Sequence, residues 1–135
     1  MDLWQCTRAA VGDPWSNPGN LGPTINTGAH ENRPSLSRDG LILVFSSTQV
    51  EKWGSIFMST RPARGKPWGK RLRLGPPVDS PKTDNSPCLS ADGLTLIFRS
   101  DRDGGRGGAD LYQATRKITA EAKSKSGTPK GDKPG

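Results

Sequence analysis

A duplicated hairpin constrains this chain more than any other feature of its sequence. Pro34 to Phe45 reads PSLSRDGLILVF, and 53 residues later Pro87 to Phe98 reads PCLSADGLTLIF. Each copy is two apolar runs joined by Ser-x-Asp-Gly. Gly40 and Gly93 can take the positive φ that closes a tight turn, and Asp39 and Asp92 can bond their own turn backbone. The pattern predicts strand, turn, strand, twice over. Between residues 21–45 and 74–98, 12 of 25 positions are identical, so the chain is built from internal repeats.

The remaining segments repeat at nearly the same offset. Asp2 to Arg8 (DLWQCTR), Ser55 to Arg61 (SIFMSTR) and Asp110 to Arg116 (DLYQATR) are spaced by 53 and then 55 residues. Each joins an aliphatic to an aromatic residue, which gives a strand with apolar groups on both faces, suited to a sheet packed between two others. Arg8, Arg61 and Arg116 are placed to end that strand and reach a carboxylate or carbonyl. Pro14-Trp15 and Pro67-Trp68 follow, then Leu21-Gly22-Pro23 and Leu74-Gly75-Pro76. These read as a short edge strand, where proline's missing N–H does no harm, and a Gly-Pro turn. Trp15 and Trp68 are expected to pack over a strand end. One unit of about 53 residues therefore carries four short strands, the signature of a propeller blade.

Counting strands, the chain holds a blade remnant at 2–26, a full blade at 32–79 and an incomplete blade at 85–116. The expected fold class is all-β: a partial β-propeller, an arc of four-stranded antiparallel blades. From 117 to 135 the periodicity stops. That tail is rich in Lys, Gly, Pro and Ser, buries too little apolar surface to offset its ordering entropy, and is expected to be disordered.

Composition adds exclusions. The net charge is +7, with a basic cluster between Arg61 and Arg73. Such a cluster can attract an anionic surface, but no ribonucleoprotein signature, zinc finger or basic helix accompanies it, so nucleic acid is not an expected partner. Cys6 and Cys88 form neither a disulfide framework nor a metal-binding spacing, and the default for each is a buried or half-buried free thiol. The start MDLWQCTR is not a signal peptide, and no apolar run could span a bilayer, which leaves the cytoplasm as the default compartment.

The motif Pro-x-Leu-Ser-x-Asp-Gly-Leu-x-Leu-x-Phe, followed by Ser100-Asp101-Arg102, a Gly-rich loop and Asp110-Leu111-Tyr112, resembles the TolB-type, WD40-like β-propeller repeat in its longer form. The resemblance covers residues 2–116 and is better in the second copy. In the first copy, Thr48 to Trp53 replaces the Asp-Arg and glycine run, and Ser55 replaces Asp110. The resemblance implies a binding scaffold for proteins or peptides, sometimes an accessory domain beside a peptidase or kinase. About two and a quarter blades cannot close a ring, so self-association to complete one is a further expectation; three chains would make six blades.

The most functional-looking segment is Asp101 to Asp110, DRDGGRGGAD. Asp101, Arg102, Asp103 and Asp110 are its candidate ligand-binding residues. The carboxylates offer oxygen ligands to a cation, but the bidentate Glu of a calcium loop is absent and Arg102 and Arg106 would repel the ion. A phosphate cradle would need a following helix, and a strand follows. His30 is the only histidine, and no nucleophile elbow, metal-binding pair or paired-carboxylate spacing is present. No metal, cofactor or enzymatic activity is expected. The reading is a protein-binding module, with a glycan surface built on Trp15, Trp53 and Trp68 as the alternative.

Overall fold

The computed structural model describes residues 1–116. The tail expected to be disordered lies outside them. The first sheet pairs β1 (Trp4–Gln5) with β2 (Gly19–Asn20). The second has the order β3 (Glu31–Leu36), β4 (Ile42–Ser47), β5 (Ser55–Thr60) and β6 (Leu72–Arg73). The third joins β7 (Asp84–Leu89), β8 (Thr95–Ser100) and β9 (Asp110–Thr115). All neighbouring strands are antiparallel. No helix occurs among the described residues, so the chain is all-β there. The sheets hold two, four and three strands, as counted from the repeats.

The hairpin turns form as their residue types require. Ser37 Oγ donates to Asp39 Oδ1 at 2.7 Å, the Leu41 amide donates to the same oxygen at 2.9 Å, and the Ile42 amide donates to Ser37 Oγ at 3.0 Å. Ser90, Asp92, Leu94 and Thr95 repeat this network at 2.6, 3.0 and 2.9 Å. The hydroxyl, and then the amide, hold the Asp39 and Asp92 carboxyls below the usual aspartate range. Gly40 and Gly93 close the turns at φ 75° and 76°. Both copies also carry a bulge one residue before the proline, with Arg33 and Ser86 at φ 53° and 55°. The bulge is a repeated design of the first hairpin strand.

Side-chain alternation puts two cores on the two faces of the second sheet. Leu43, Phe45 and Phe57 face the first sheet and meet Leu3, Ile25 and Trp68. Val44 and Ile56 face the third sheet and meet Leu96 and Phe98, with Tyr112 against them. The repeat explains this duplication. Leu43, Phe45 and Phe57 correspond to Leu96, Phe98 and Tyr112, and Leu3 and Ile25 correspond to Ile56 and Val78. Each interface thus mates the same two surfaces. Phe45 stacks on Phe57 at 6.0 Å between ring centres, and Phe98 on Tyr112 at 6.2 Å.

Two sequence expectations are corrected. Cys6 and Cys88 are exposed, not buried. Cys6 follows a strand of two residues in the smallest sheet, and Cys88 lies on an outward pleat of β7. Trp68 is packed as expected, at 6% exposure, but Trp15 is 61% exposed. Trp68 is covered by the core against the preceding sheet. Among the described residues no sheet precedes the one that carries Trp15.

Truncating Phe98 to Ala removes a fully buried ring, and unfolding in urea should show a loss of about 3–5 kcal/mol. Leu111→Ala, at an exposed site of the same sheet, should stay within about 0.5 kcal/mol of the parent. Equal losses would mean that the two faces of the third sheet are not different in the way described.

Candidate functional site

The Asp101–Asp110 loop does not gather its four candidates into one site. Asp101 Oδ1 accepts the Thr83 amide at 2.8 Å and so ties the loop to the start of β7. Asp103 is exposed, with Lys82 Nζ at 3.9 Å. Asp110 Oδ2 accepts the amides of Arg106 and Gly107, folding the loop back on β9. Among the described residues, no three His, Cys, Asp or Glu side chains converge to hold a metal ion.

Arg102 turns inward. Its Nε donates to Ser100 Oγ at 3.0 Å, Nη1 to the Pro77 carbonyl at 2.9 Å, and Nη2 to the Val78 carbonyl and to Asp84 Oδ1, the latter at 2.9 Å. The guanidinium carbon lies 5.1 Å from the ring centres of Phe98 and Tyr112. Asp84 is buried and also accepts the Ser80 amide and hydroxyl at 2.6 and 2.8 Å. Arg102 therefore joins the third sheet to the segment that leaves β6.

The second sheet has the same node with a different cation. Glu31, Thr27 and Ser47 stand 53 residues before Asp84, Ser80 and Ser100. Glu31 is buried and accepts the Thr27 amide and hydroxyl and the Ser47 hydroxyl at 3.0, 2.7 and 2.9 Å. Its cation is Arg71, whose Nη1 donates to Glu31 Oε1 at 2.9 Å and to the Ile25 carbonyl at 2.6 Å. Arg71 lies over Phe57 at 4.1 Å. Its Nε and Nη2 are buried without a hydrogen-bond partner, and the rings of Phe45 and Phe57 flank the guanidinium. Residue 49, the counterpart of Arg102, is Gln. The node was legible in part: Thr27 to Ser80, Glu31 to Asp84 and Ser47 to Ser100 are conservative pairs at the repeat offset.

Most of the basic cluster is likewise engaged inside the fold. Arg61 Nε donates to the Gly40 carbonyl at 2.8 Å, the strand-ending role expected of it, and lies 4.3 Å from the Trp68 ring centre. Arg64 donates to the carbonyls of Asp39 and Arg38 at 2.7 and 3.1 Å. Arg73 pairs with the buried Asp79. The tryptophans share no surface. Trp68 is buried, while Trp15 follows β1 and Trp53 precedes β5, which places them at opposite ends of equivalent strands. Trp53 and Asp101 line a groove of about 320 Å³ with Lys52 and Lys82.

What remains open are the outer faces. Leu111 is 75% exposed, whereas its counterparts Leu3 and Ile56 are buried. Ile97, the counterpart of Val44, is also exposed, and at the other end of the arc Trp4 is 60% exposed where its counterpart Phe57 is buried. An apolar groove of about 310 Å³ between the second and third sheets, lined by Val44, Met58, Leu89 and Leu96 among others, is matched by one of about 300 Å³ between the first and second. Comparison of the sequence with protein-family models and with curated proteins finds no match.

The two nodes give a pH dependence. Burial pushes the Asp84 carboxyl up, but hydrogen bonds from Ser100, Arg102 and Ser80 outweigh it and hold the group below the usual range. Glu31 is lowered in the same way, against burial, by Thr27, Arg71 and Ser47. A lowered folded-state pKa means that the unfolded chain binds protons first. The stabilisation is therefore complete above a pH of about 4–4.5 and is lost as pH falls through the folded values. Arg102→Ala and Arg71→Ala should each cost about 3–5 kcal/mol at neutral pH, by orphaning a buried carboxylate. Arg102→Met with Asp84→Asn should recover part of that cost and reduce the acid sensitivity. Urea unfolding at neutral and acid pH measures both, and an unchanged acid profile in the double variant would remove Asp84 as its source.

Proposed function

We propose that this chain is a non-enzymatic protein-binding module of the TolB-type, WD40-like β-propeller kind, and that its outer sheet faces and edges are its contact surfaces. The observation that carries this reading is the exposure of Leu111 and Trp4 at repeat positions that are buried, or half-buried against the core, wherever a neighbouring sheet is present. Exposed apolar side chains at such positions mark an association surface, because each mates with a defined counterpart inside the fold. The inward use of Arg102, the dispersal of Asp101, Asp103 and Asp110, and the engagement of Arg61, Arg64 and Arg71 support an architectural role for the most chemically suggestive side chains.

Self-association is the form of this activity that can be measured without a known partner. Light scattering across the micromolar range should give a mass above the 14.5 kDa of one chain. Trp4→Lys with Leu111→Lys should return it to the monomer while the circular dichroism stays unchanged. A wild-type mass of 14.5 kDa throughout that range would overturn self-association and the ring of three chains with it.

A further inference from the structure

Among the described residues the third sheet has no counterpart of β6, and the repeat states what that counterpart would be. In the second sheet β5 carries β6 on its outer edge, with Phe57 opposite Arg73 and Met58 opposite Leu72. The Leu74 amide then donates to the Ile56 carbonyl at 3.0 Å, the chain turns at Gly75 with φ 69°, and Asp79 Oδ1 accepts the Ile56 amide at 3.2 Å. The first sheet repeats every part of this. Trp4 lies opposite Asn20, the Leu21 amide donates to the Leu3 carbonyl at 3.2 Å, and Gly22 turns at φ 82°. Asn26 Oδ1 then accepts the Leu3 amide at 2.8 Å. In both copies a residue at the start of the aromatic strand, Leu3 just before β1 or Ile56 as the second residue of β5, is claimed at its N–H and its C=O by one polypeptide segment. A buried Ile25 or a packed Val78 from that segment completes the adjoining core.

Leu111 is the third such residue, and no described residue bonds the outer edge of β9. Residues 117–135 contain no Leu-Gly-Pro. The Leu-Gly-Pro segments at 21–23 and 74–76 are already engaged in their own sheets. We infer that the edge of β9 and the apolar face around Leu111 accept an extended segment of a partner polypeptide as the fourth strand of the third sheet. That segment has the form Arg/Asn, Leu, Gly, Pro, any residue, Val/Ile, Asp/Asn. The strand part supplies sequence-independent hydrogen bonds, as in other additions to a sheet edge. Glycine is required because its position takes a positive φ in both internal copies. The Val or Ile covers Leu111, and the terminal Asp or Asn caps its N–H. The inference rests on the protein-binding reading above and specifies its partner.

The probe exists within the chain itself: a synthetic peptide of residues 71–80, RLRLGPPVDS. Added to the full chain, it should slow hydrogen exchange at the amides of Asp110–Thr115. Leu111→Lys in the chain, or Glu in place of the second leucine of the peptide, should weaken its binding at least ~10-fold. Urea unfolding of the Leu111→Lys chain checks that it is folded. Protection of β5 in place of β9 would mean that the peptide exchanges with β6, and would overturn the assignment. Absence of any protection, in a chain that still self-associates through Trp4 and Leu111, would overturn the inference and leave the wider protein-binding reading standing.

Discussion

An arginine laid over an aromatic pair and anchored on a buried carboxylate ties each sheet to the one before it. Without the arginine, Glu31 and Asp84 would be isolated charges at almost no exposure, a cost of several kcal/mol each. Without the carboxylate, a guanidinium would be wedged between sheets with few acceptors. The carbonyls that complete the coordination, Ile25 for Arg71 and Pro77 with Val78 for Arg102, belong to the segments leaving β2 and β6. The node is therefore an inter-sheet bond, and it fixes how the two apolar surfaces meet. The grooves between the sheets follow from that spacing, while the aromatic stacks are cross-strand pairs within each sheet.

Much of this order was legible in the sequence because it is local or repeated. The Ser-x-Asp-Gly hairpins are decided by groups within five residues of one another, so the local residue order reports them. The three aromatic strands and the strand count were legible through self-comparison, which needs no knowledge of contacts. The environments of Trp15 and Cys6 were not legible, since both depend on which sheet lies next door rather than on their own neighbours. The contacts of the loop from Asp101 to Asp110 were hidden for a related reason. Its carboxylates and glycines resemble a ligand loop in composition, but their hydrogen bonds run to Thr83, Arg106 and Gly107, and Arg102 is half-buried between sheets, paired with Asp84.

Arg71 was the least legible residue of all. It stands within the basic cluster between Arg61 and Arg73, yet only one of its side-chain nitrogens finds acceptors, and the guanidinium lies against Phe57. The neighbouring pair changes identity in the same manner. Asn20 bonds Asn26 in the first sheet, and Arg73 bonds Asp79 in the second. The repeat thus preserves where a polar tie is made more strictly than which residues make it.

The different origins of the two arginines bear on how separable the units are. Glu31 must wait for a cation 40 residues further along, one that arrives with the edge strand. Asp84 receives its cation 18 residues later, from the loop that follows its own hairpin. The middle unit is consequently neutralised only as a complete quartet of strands. Among the described residues the last is electrically self-sufficient as a trio, so a fourth strand can come or go without stranding a charge.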